Sequence, residues 1–285
     1  MKQTLAFLLL LVLSACSTAA PLPTPTSTPT QTAIPTATIT PTATPLPSGP
    51  CISPLLPLMT GAEWIYRVPT TSGESLYTLK TLDRNDGRNI VIMVEFTDQK
   101  NNVTVVEPVV CMDGAIENFP LFVVSMHFAD YLEKDFNTYH DTGIYFPGYP
   151  TLVENDWRMN WEVEYLTEDV AQLKSPMDGR ALFVLQSSFI SLSFEMDGTR
   201  EAVTVPAGDF PQALKVRHSF SFPVTLTLPT GATGSILTVN TTQWYEPYVG
   251  LVRSQVDSAS LLLYGQVVPV PMESVIELVE FRKGE

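Results

Sequence analysis

The residues of this chain that could do acid–base or metal chemistry are its three histidines and a few carboxylates near them. His127, Asp130, His140 and Asp141 could offer nitrogen and oxygen ligands to a divalent ion. Their spacing fits no zinc pattern such as H-E-x-x-H, in which two histidines share a helix face, so they read as scattered surface and loop residues. His218 falls on the apolar side of an alternating segment, where a hydrogen-bonded core histidine is expected. Glu162 and Glu164 flank Val163, which puts both on one strand face about 7 Å apart. That separation suits an inverting glycosidase pair. Trp161, Val163 and Tyr165 take the opposite face, so the carboxylates more simply face water. The chain has no G-x-S-x-G elbow, P-loop, dinucleotide-binding glycine pattern or EF-hand loop. No cofactor or metal is implied. An enzyme is therefore not the leading reading, and a hydrolase of envelope polymers would need Glu162, Glu164 and His140 in one cleft.

Phe136–Tyr149 (FNTYHDTGIYFPGY) is unusually aromatic. Exposed, Tyr139, His140, Tyr145, Phe146 and Tyr149 would make a binding surface for sugar or peptide. Packed, they would form a lid over one end of a sheet, and the packed arrangement is the favoured one.

The three cysteines divide between two roles. Lys2 supplies a positive start, Leu5–Leu13 is an apolar run too short to span a bilayer, and Leu13-Ser14-Ala15-Cys16 follows. This tetrapeptide matches the bacterial lipobox. The match implies cleavage after residue 15, diacylglycerol on the Cys16 thiol and an acylated amino terminus. Two or three acyl chains, at about 0.8 kcal/mol per buried CH₂, hold a protein durably at a membrane. Cys51 and Cys111 remain as an even pair in an oxidising compartment and are expected to form a disulfide, the alternative being two buried thiols. From residue 17 to 50, 20 of 34 residues are Pro or Thr, with no charge and no aromatic. Such a segment cannot bury enough apolar surface to offset its ordering entropy. Proline biases it to polyproline II, so it could span about 100 Å. The organisation expected is a signal peptide at 1–15, lipidated Cys16 and a disordered stalk to residue 50, and an extracytoplasmic β-rich domain over 51–285.

Charge supports that division. The formal net charge is −14, and no charged side chain occurs from Gln3 to Ala62, so nearly all of it belongs to the domain. An acidic domain is repelled by phosphate backbones and by anionic headgroups. Nucleic acid is thereby an unfavoured partner, and the membrane would be held through the lipid on Cys16.

The domain must present these residues on strands. Trp64–Val68, Leu76–Leu82, Ile90–Phe96 and Val103–Val110 are β-branched or aromatic runs separated by turn residues, the pattern of an antiparallel meander. Met196-Asp197-Gly198-Thr199 reads as a hairpin turn between Phe189–Glu195 and Arg200–Val205. Leu214 to Phe222 alternates cleanly between two faces. Ile236–Tyr245, Leu251–Val256, Leu261–Val268 and Val275–Phe281 complete the strands. Phe119–Phe136 is ambiguous: Leu121–Phe128 fits a strand and Phe128–Phe136 a short helix. The class expected is all-β, a single large antiparallel sandwich or a curved, partly closed barrel-like sheet, with at most one or two short helices.

Several stretches carry a family likeness. Pro57-Leu58-Met59-Thr60-Gly61-Ala62-Glu63-Trp64-Ile65-Tyr66 resembles the "PLxxGxxWxY" opening of a broad group of uncharacterised bacterial envelope lipoproteins. Thr204-Val205-Pro206-Ala207-Gly208-Asp209-Phe210 is similar to the group's "TVPAGxF". Trp244 to Arg253 is similar to "WYAPGVGLVK", with Glu246 and Tyr248 in place of Ala and Gly, and Cys111-Met112-Asp113-Gly114 resembles a "CxxD/EG" element. The resemblance implies an antiparallel β domain on a lipoprotein, with no established activity. The function expected is a non-catalytic binding or interaction module, lipid-anchored at the cell membrane or at an outer membrane where the cell has one. Its partner would be an envelope protein, a glycan or an apolar ligand. The alternative is a carrier of lipid or another apolar ligand in a curved-sheet cavity.

Overall fold

Alternating apolar and polar residues run through most of the domain, and the backbone follows with strands whose side chains point to opposite faces in turn. The computed structural model describes residues 49–284 apart from 83–90, 101, 131–137, 168–170, 175–180, 186–187 and 229–230. Cys16, the Pro/Thr stretch up to residue 48, the turns read at Asp83–Gly87 and Asp178-Gly179, and Phe136 lie outside the described residues.

The chain opens with two short pieces, β1 (Ile52–Ser53) and β2 (Leu56–Pro57). A meander follows: β3 (Glu63–Thr70), β4 (Gly73–Thr81), β5 (Val91–Asp98), β6 (Val103–Met112) and the short return β7 (Ala115–Ile116). Next come α1 (Phe122–His127), β8 (Thr138–Gly143) and α2 (Tyr149–Glu154). After these lie β9 (Arg158–Thr167) and a small hairpin, β10 (Ala171–Lys174) with β11 (Ala181–Leu185). Four long strands carry the second half: β12 (Ser188–Val205), β13 (Gly208–Leu228), β14 (Gly231–Glu246) and β15 (Gly250–Leu263). The last two strands are β16 (Gln266–Val270) and β17 (Val275–Arg282).

All but β1 and β2 join one 15-stranded antiparallel sheet, ordered β7-β6-β5-β4-β3-β17-β15-β14-β13-β12-β9-β8, with β10, β11 and β16 attached off this path. The C-terminal strand β17 joins the two halves, since Glu277 pairs with Arg67 on one side and Arg253 on the other. The two ends of the sheet meet at a single bridge, where Ile116 and Phe146 exchange backbone hydrogen bonds of 2.9 and 3.0 Å. The sheet thus curls round an interior without closing into a barrel, and the class is all-β as expected.

A curled sheet without a second sheet opposite needs a filler. Helix α1 provides it, with Phe122, Val123, Val124, Met126 and His127 all buried. Phe122 stacks on Phe96 with centroids 4.1 Å apart, and Phe128 meets Phe220 and Phe222 edge-on at 5.9 and 5.7 Å. The space left among Tyr66, Phe96, Phe122, Met126 and Tyr145 is about 20 Å³, about one water's worth.

Two of the stretches quoted above meet directly, and a third reaches β17 beside β3. The Trp64 indole N–H donates to the Val249 carbonyl at 2.5 Å. A Cβ at Gly250, whose φ is +108°, would sit 3.3 Å from that indole nitrogen. The Pro206-Ala207 turn reaches β17, where Ala207 N–H donates to the Leu278 carbonyl at 3.0 Å.

Three sequence expectations are corrected. Leu121–Phe128 contains a helix rather than a strand: a buried strand needs ladder partners on both sides, whereas a helix satisfies its own backbone inside the curl. Met196–Thr199 is no hairpin turn. Strand β12 runs through it, pairing Asp197 with Arg158 and resuming at Arg200 with Leu214. Gly198, at φ +79°, absorbs the extra residues as a bulge. Leu261–Val268 is two strands, turned at Tyr264-Gly265, whose φ values of 49° and 77° match a tight hairpin turn. Leu251–Val256, by contrast, belongs to the same strand as Leu261, with Asp257 bulged between them.

Cys51 and Cys111 form a disulfide with Cα atoms 5.0 Å apart across 60 residues of sequence. By loop-closure entropy such a link contributes about 4 kcal/mol. Replacing both cysteines with serine is expected to lower the unfolding free energy by about that amount, measured by denaturant unfolding with a steeper slope in the variant, whose unfolded chain loses the cross-link. A second expectation concerns Gly143, at φ +93°, where a Cβ would lie 2.3 Å from the Glu162 carbonyl oxygen. Gly143→Ala should destabilise by roughly 1–3 kcal/mol in the same assay.

Candidate functional site

The outward face of the long strands carries an open groove of about 430 Å³. Its floor is the backbone of a cross-strand row formed by Trp161, Phe194, His218 and Thr241, residues that ladder pairing places level with one another. Polar side chains on either side of that row stand over it: Asn160, Glu162, Glu195, Arg217, Asn240 and Asp257 all line the groove. Bulges at Asp197–Thr199 in β12 and at Asp257 in β15 interrupt the ladders beside the groove.

Arg217 is held in this groove by two carboxylates. Its guanidinium lies 3.1 Å from Asp197 and 3.7 Å from Glu195. Hydrogen bonds from Thr199, with Arg217 contributing, hold the Asp197 carboxyl down at about 2. Asp257 accepts from the Thr242 hydroxyl at 2.7 Å. The arrangement can recognise a polar or charged group. Among the described residues it holds no group of histidine, cysteine and carboxylate able to bind a metal.

The candidates from the sequence are separated by the fold. Glu162 stands at the groove, and Glu164 lies on the same outer face with the Ser191 hydroxyl 3.5 Å away. His140 pairs with Tyr165 in the β8–β9 ladder and faces its ring edge-on at 5.7 Å, on the side opposite the two glutamates. Its Nε2 bonds the Gly143 carbonyl at 2.9 Å. The three therefore share no cleft. Asp130 caps the Thr71 backbone N–H at 2.9 Å, far in role from either histidine.

The aromatic stretch is split rather than presented as one surface. Tyr145 and Phe146 are buried, edge-on to each other at 4.7 Å, and form part of the filling inside the curl. Tyr139 and Tyr149 are exposed, and His140 is half-buried.

Two histidines lie in the core. His127 bridges two serines, Nδ1 to Ser274 at 3.1 Å and Nε2 to Ser254 at 2.7 Å. His218 Nδ1 accepts from the Gln243 amide at 3.0 Å, and Gln243 accepts in turn from the Tyr245 hydroxyl at 2.6 Å. This chain assigns the proton of His218 to Nε2, which is buried against Phe194 and Phe220 without a hydrogen-bond partner. Burial holds both imidazoles neutral, each down to about 3 from its ordinary 6.5.

The groove was not visible in the sequence. Asn160, Arg217, Asn240 and Asp257 come from four strands, and only the register brings them together. Outward polar positions were legible; which of them share a row was not.

No family model matches the chain, and no curated protein matches it. Among solved structures it is similar to a candidate lipoprotein from Parabacteroides distasonis ATCC 8503, with 15% identity and a TM-score of 0.43 over 81% of this chain and 99% of that one. At that level the likeness is one of outline.

The buried histidines give a pH expectation. Below about 6.5 the unfolded chain takes up protons that the native core refuses, so the stability these groups contribute is complete above 6.5 and is lost as pH falls toward about 3. The slope is on the order of 1.4 kcal/mol per pH unit per histidine. Urea midpoints measured from pH 7 to 5 should fall with that slope, and His218→Gln should flatten it by about half.

Proposed function

We propose that this chain is a lipid-anchored envelope protein whose β domain is a non-catalytic interaction module. The observation that carries the reading is the order of features at the amino terminus. Lys2, the apolar run Leu5–Leu13, the Leu13-Ser14-Ala15-Cys16 box and a chargeless Pro/Thr stretch stand in the sequence required for export, acylation and display. Acyl chains supply the grip, so the domain can remain strongly acidic and water-facing.

The geometry supports recognition on the outside. The cavity lined by Tyr66, Phe96, Phe122, Met126 and Tyr145 holds about 20 Å³, small beside the several hundred Å³ of a ligand pocket, which favours recognition on the outside over a carried apolar ligand. Glu162 and Glu164 point away from His140, which leaves the hydrolase reading without a common cleft. The polar groove around Arg217 offers charge and hydrogen-bonding groups at an accessible surface.

Cys16→Ser is expected to move the protein from the membrane fraction to the soluble exported fraction. Intact mass of the native chain should show residue 16 as the acylated amino terminus. Unchanged membrane retention of the variant would refute the anchor. Native mass spectrometry of the purified chain should detect no bound lipid beyond the covalent acyl groups, and a stoichiometric co-purifying lipid would return the carrier reading to first place.

A further inference from the structure

Two aromatic residues at one rim of the curl stand in a backbone conformation that bulky side chains rarely adopt. Trp157, between α2 and β9, has φ +57° and follows Asp156 at +51°. Tyr248, in the turn from β14 to β15, has φ +63°. The left-handed conformation costs a bulky residue free energy that glycine escapes. Such strain persists where the surroundings over-determine it, and it gathers at binding sites.

Hydrogen bonds bring the flanking segments together. The Ser53 hydroxyl donates to the Pro147 carbonyl at 3.0 Å, and the adjacent Pro54 carbonyl accepts from Tyr248 N–H at 2.8 Å. Tyr149, two residues beyond Pro147, is 40% exposed. Burial and then the Tyr149 hydroxyl push the Tyr248 phenol up, so the two hydroxyls lie within electrostatic reach of each other. Helix α2 carries the chain from Tyr149 toward Trp157, whose N–H returns to the Leu152 carbonyl at 2.9 Å. Arg200, exposed just past the bulge in β12, lays its guanidinium 5.4 Å over the Trp157 ring.

Glu246 completes the group. It belongs to the same turn as Tyr248, since its carbonyl accepts from Val249 N–H at 3.0 Å. Its Oε2 is buried and has no hydrogen-bond partner among the described residues. Burial pushes its carboxyl above the ordinary range, and the charge of Arg200 pulls it part of the way back. A buried acceptor left unpaired costs stability. Alanine at 246 and glycine at 248 would remove both costs.

The ligand that fits is uncharged and hydroxylated. Arg200 and Glu246 oppose each other in charge, so any ion meets one of them as a like charge. A hydroxyl can donate to Oε2 and also accept from the guanidinium. Tyr149 and Tyr248 offer aromatic faces to the apolar side of a ring. A pyranose has both kinds of surface. We infer that the rim formed by Tyr149, Trp157, Arg200, Glu246 and Tyr248 binds a neutral oligosaccharide, with Glu246 and Arg200 on its hydroxyls and the two tyrosines against a sugar ring. Trp157 is a positioning residue that steers Arg200. This rests on the interaction role proposed above and gives that role a ligand class.

The test places the full chain bearing Cys16→Ser on an array of immobilised neutral, anionic and deacetylated cationic oligosaccharides. Neutral oligosaccharides should retain it in preference to charged ones. Glu246→Ala and Tyr248→Gly should each weaken that binding at least tenfold while leaving the thermal midpoint unchanged or raising it by about 2–4 °C. A fall in the midpoint of either variant shows that the residue serves the fold, and overturns the assignment. So does retention by no neutral oligosaccharide, or a preference for charged ones. Binding of a trilysine peptide that Glu246→Ala abolishes also overturns it, and points to a cationic polypeptide. Loss of sugar binding in Arg217→Ala, with retention in both rim variants, moves the ligand to the outer groove and spares the interaction role. Fractionation of Cys16→Ser decides the anchor without reference to any of these results.

Discussion

The hydrogen bonds that Ile116 and Phe146 exchange tie together parts of the chain that the sheet order places at opposite ends. Much of the interior depends on that tie. It holds the segment after β8 against β7, so that Tyr145 and Phe146 turn inward beside Phe119 and Phe194. On its other side Ile116 pairs with Cys111, whose disulfide reaches back to Cys51. A single-layer sheet has one apolar face and nothing opposite to cover it. Curling halves that problem, and the helix with its neighbouring aromatic rings fills what remains.

The same arrangement explains the polar groups inside. A core built from one sheet and a short helix places strand residues of several kinds near one another, including two histidines, two serines and a glutamine. They survive burial because nearly all their hydrogen-bonding atoms are matched, through His127 with Ser254 and Ser274, and through His218 with Gln243 and Tyr245. His218 Nε2 is the exception, and it faces aromatic rings rather than water. These are structural histidines held neutral by their surroundings.

Fold class and most strands were legible because alternation is a local property. Leu214 to Phe222 alternates in the sequence and alternates between buried and outward positions in β13. The exceptions have identifiable causes. Asp197-Gly198 carries turn chemistry, yet the β13 ladder resumes at Arg200 after a bulge, and continuing a long ladder outweighs starting a hairpin. Leu121–Phe128 is mostly apolar, with Ser125 and His127 alternating only over its second half, too short a run to distinguish a helix from a strand. The site was less legible than the fold. Asn160, Arg217, Asn240 and Asp257 read only as outward polar positions, because the pairing that makes them neighbours is not a local property.

The placement of Cys51 has a mechanical corollary. Any tension carried along the chain toward the fold arrives at Pro50 and Cys51, where Gly114 N–H also holds the Pro50 carbonyl at 3.0 Å. There the load divides: one branch continues along the backbone into the two-residue strand β1, and the other crosses a covalent bond directly into β6. Peeling β1 from β2 would break few hydrogen bonds and would be a weak point under load. The sulfur bridge bypasses it, so a pull from the amino-terminal side is resisted by the ten-residue strand β6 within the main sheet.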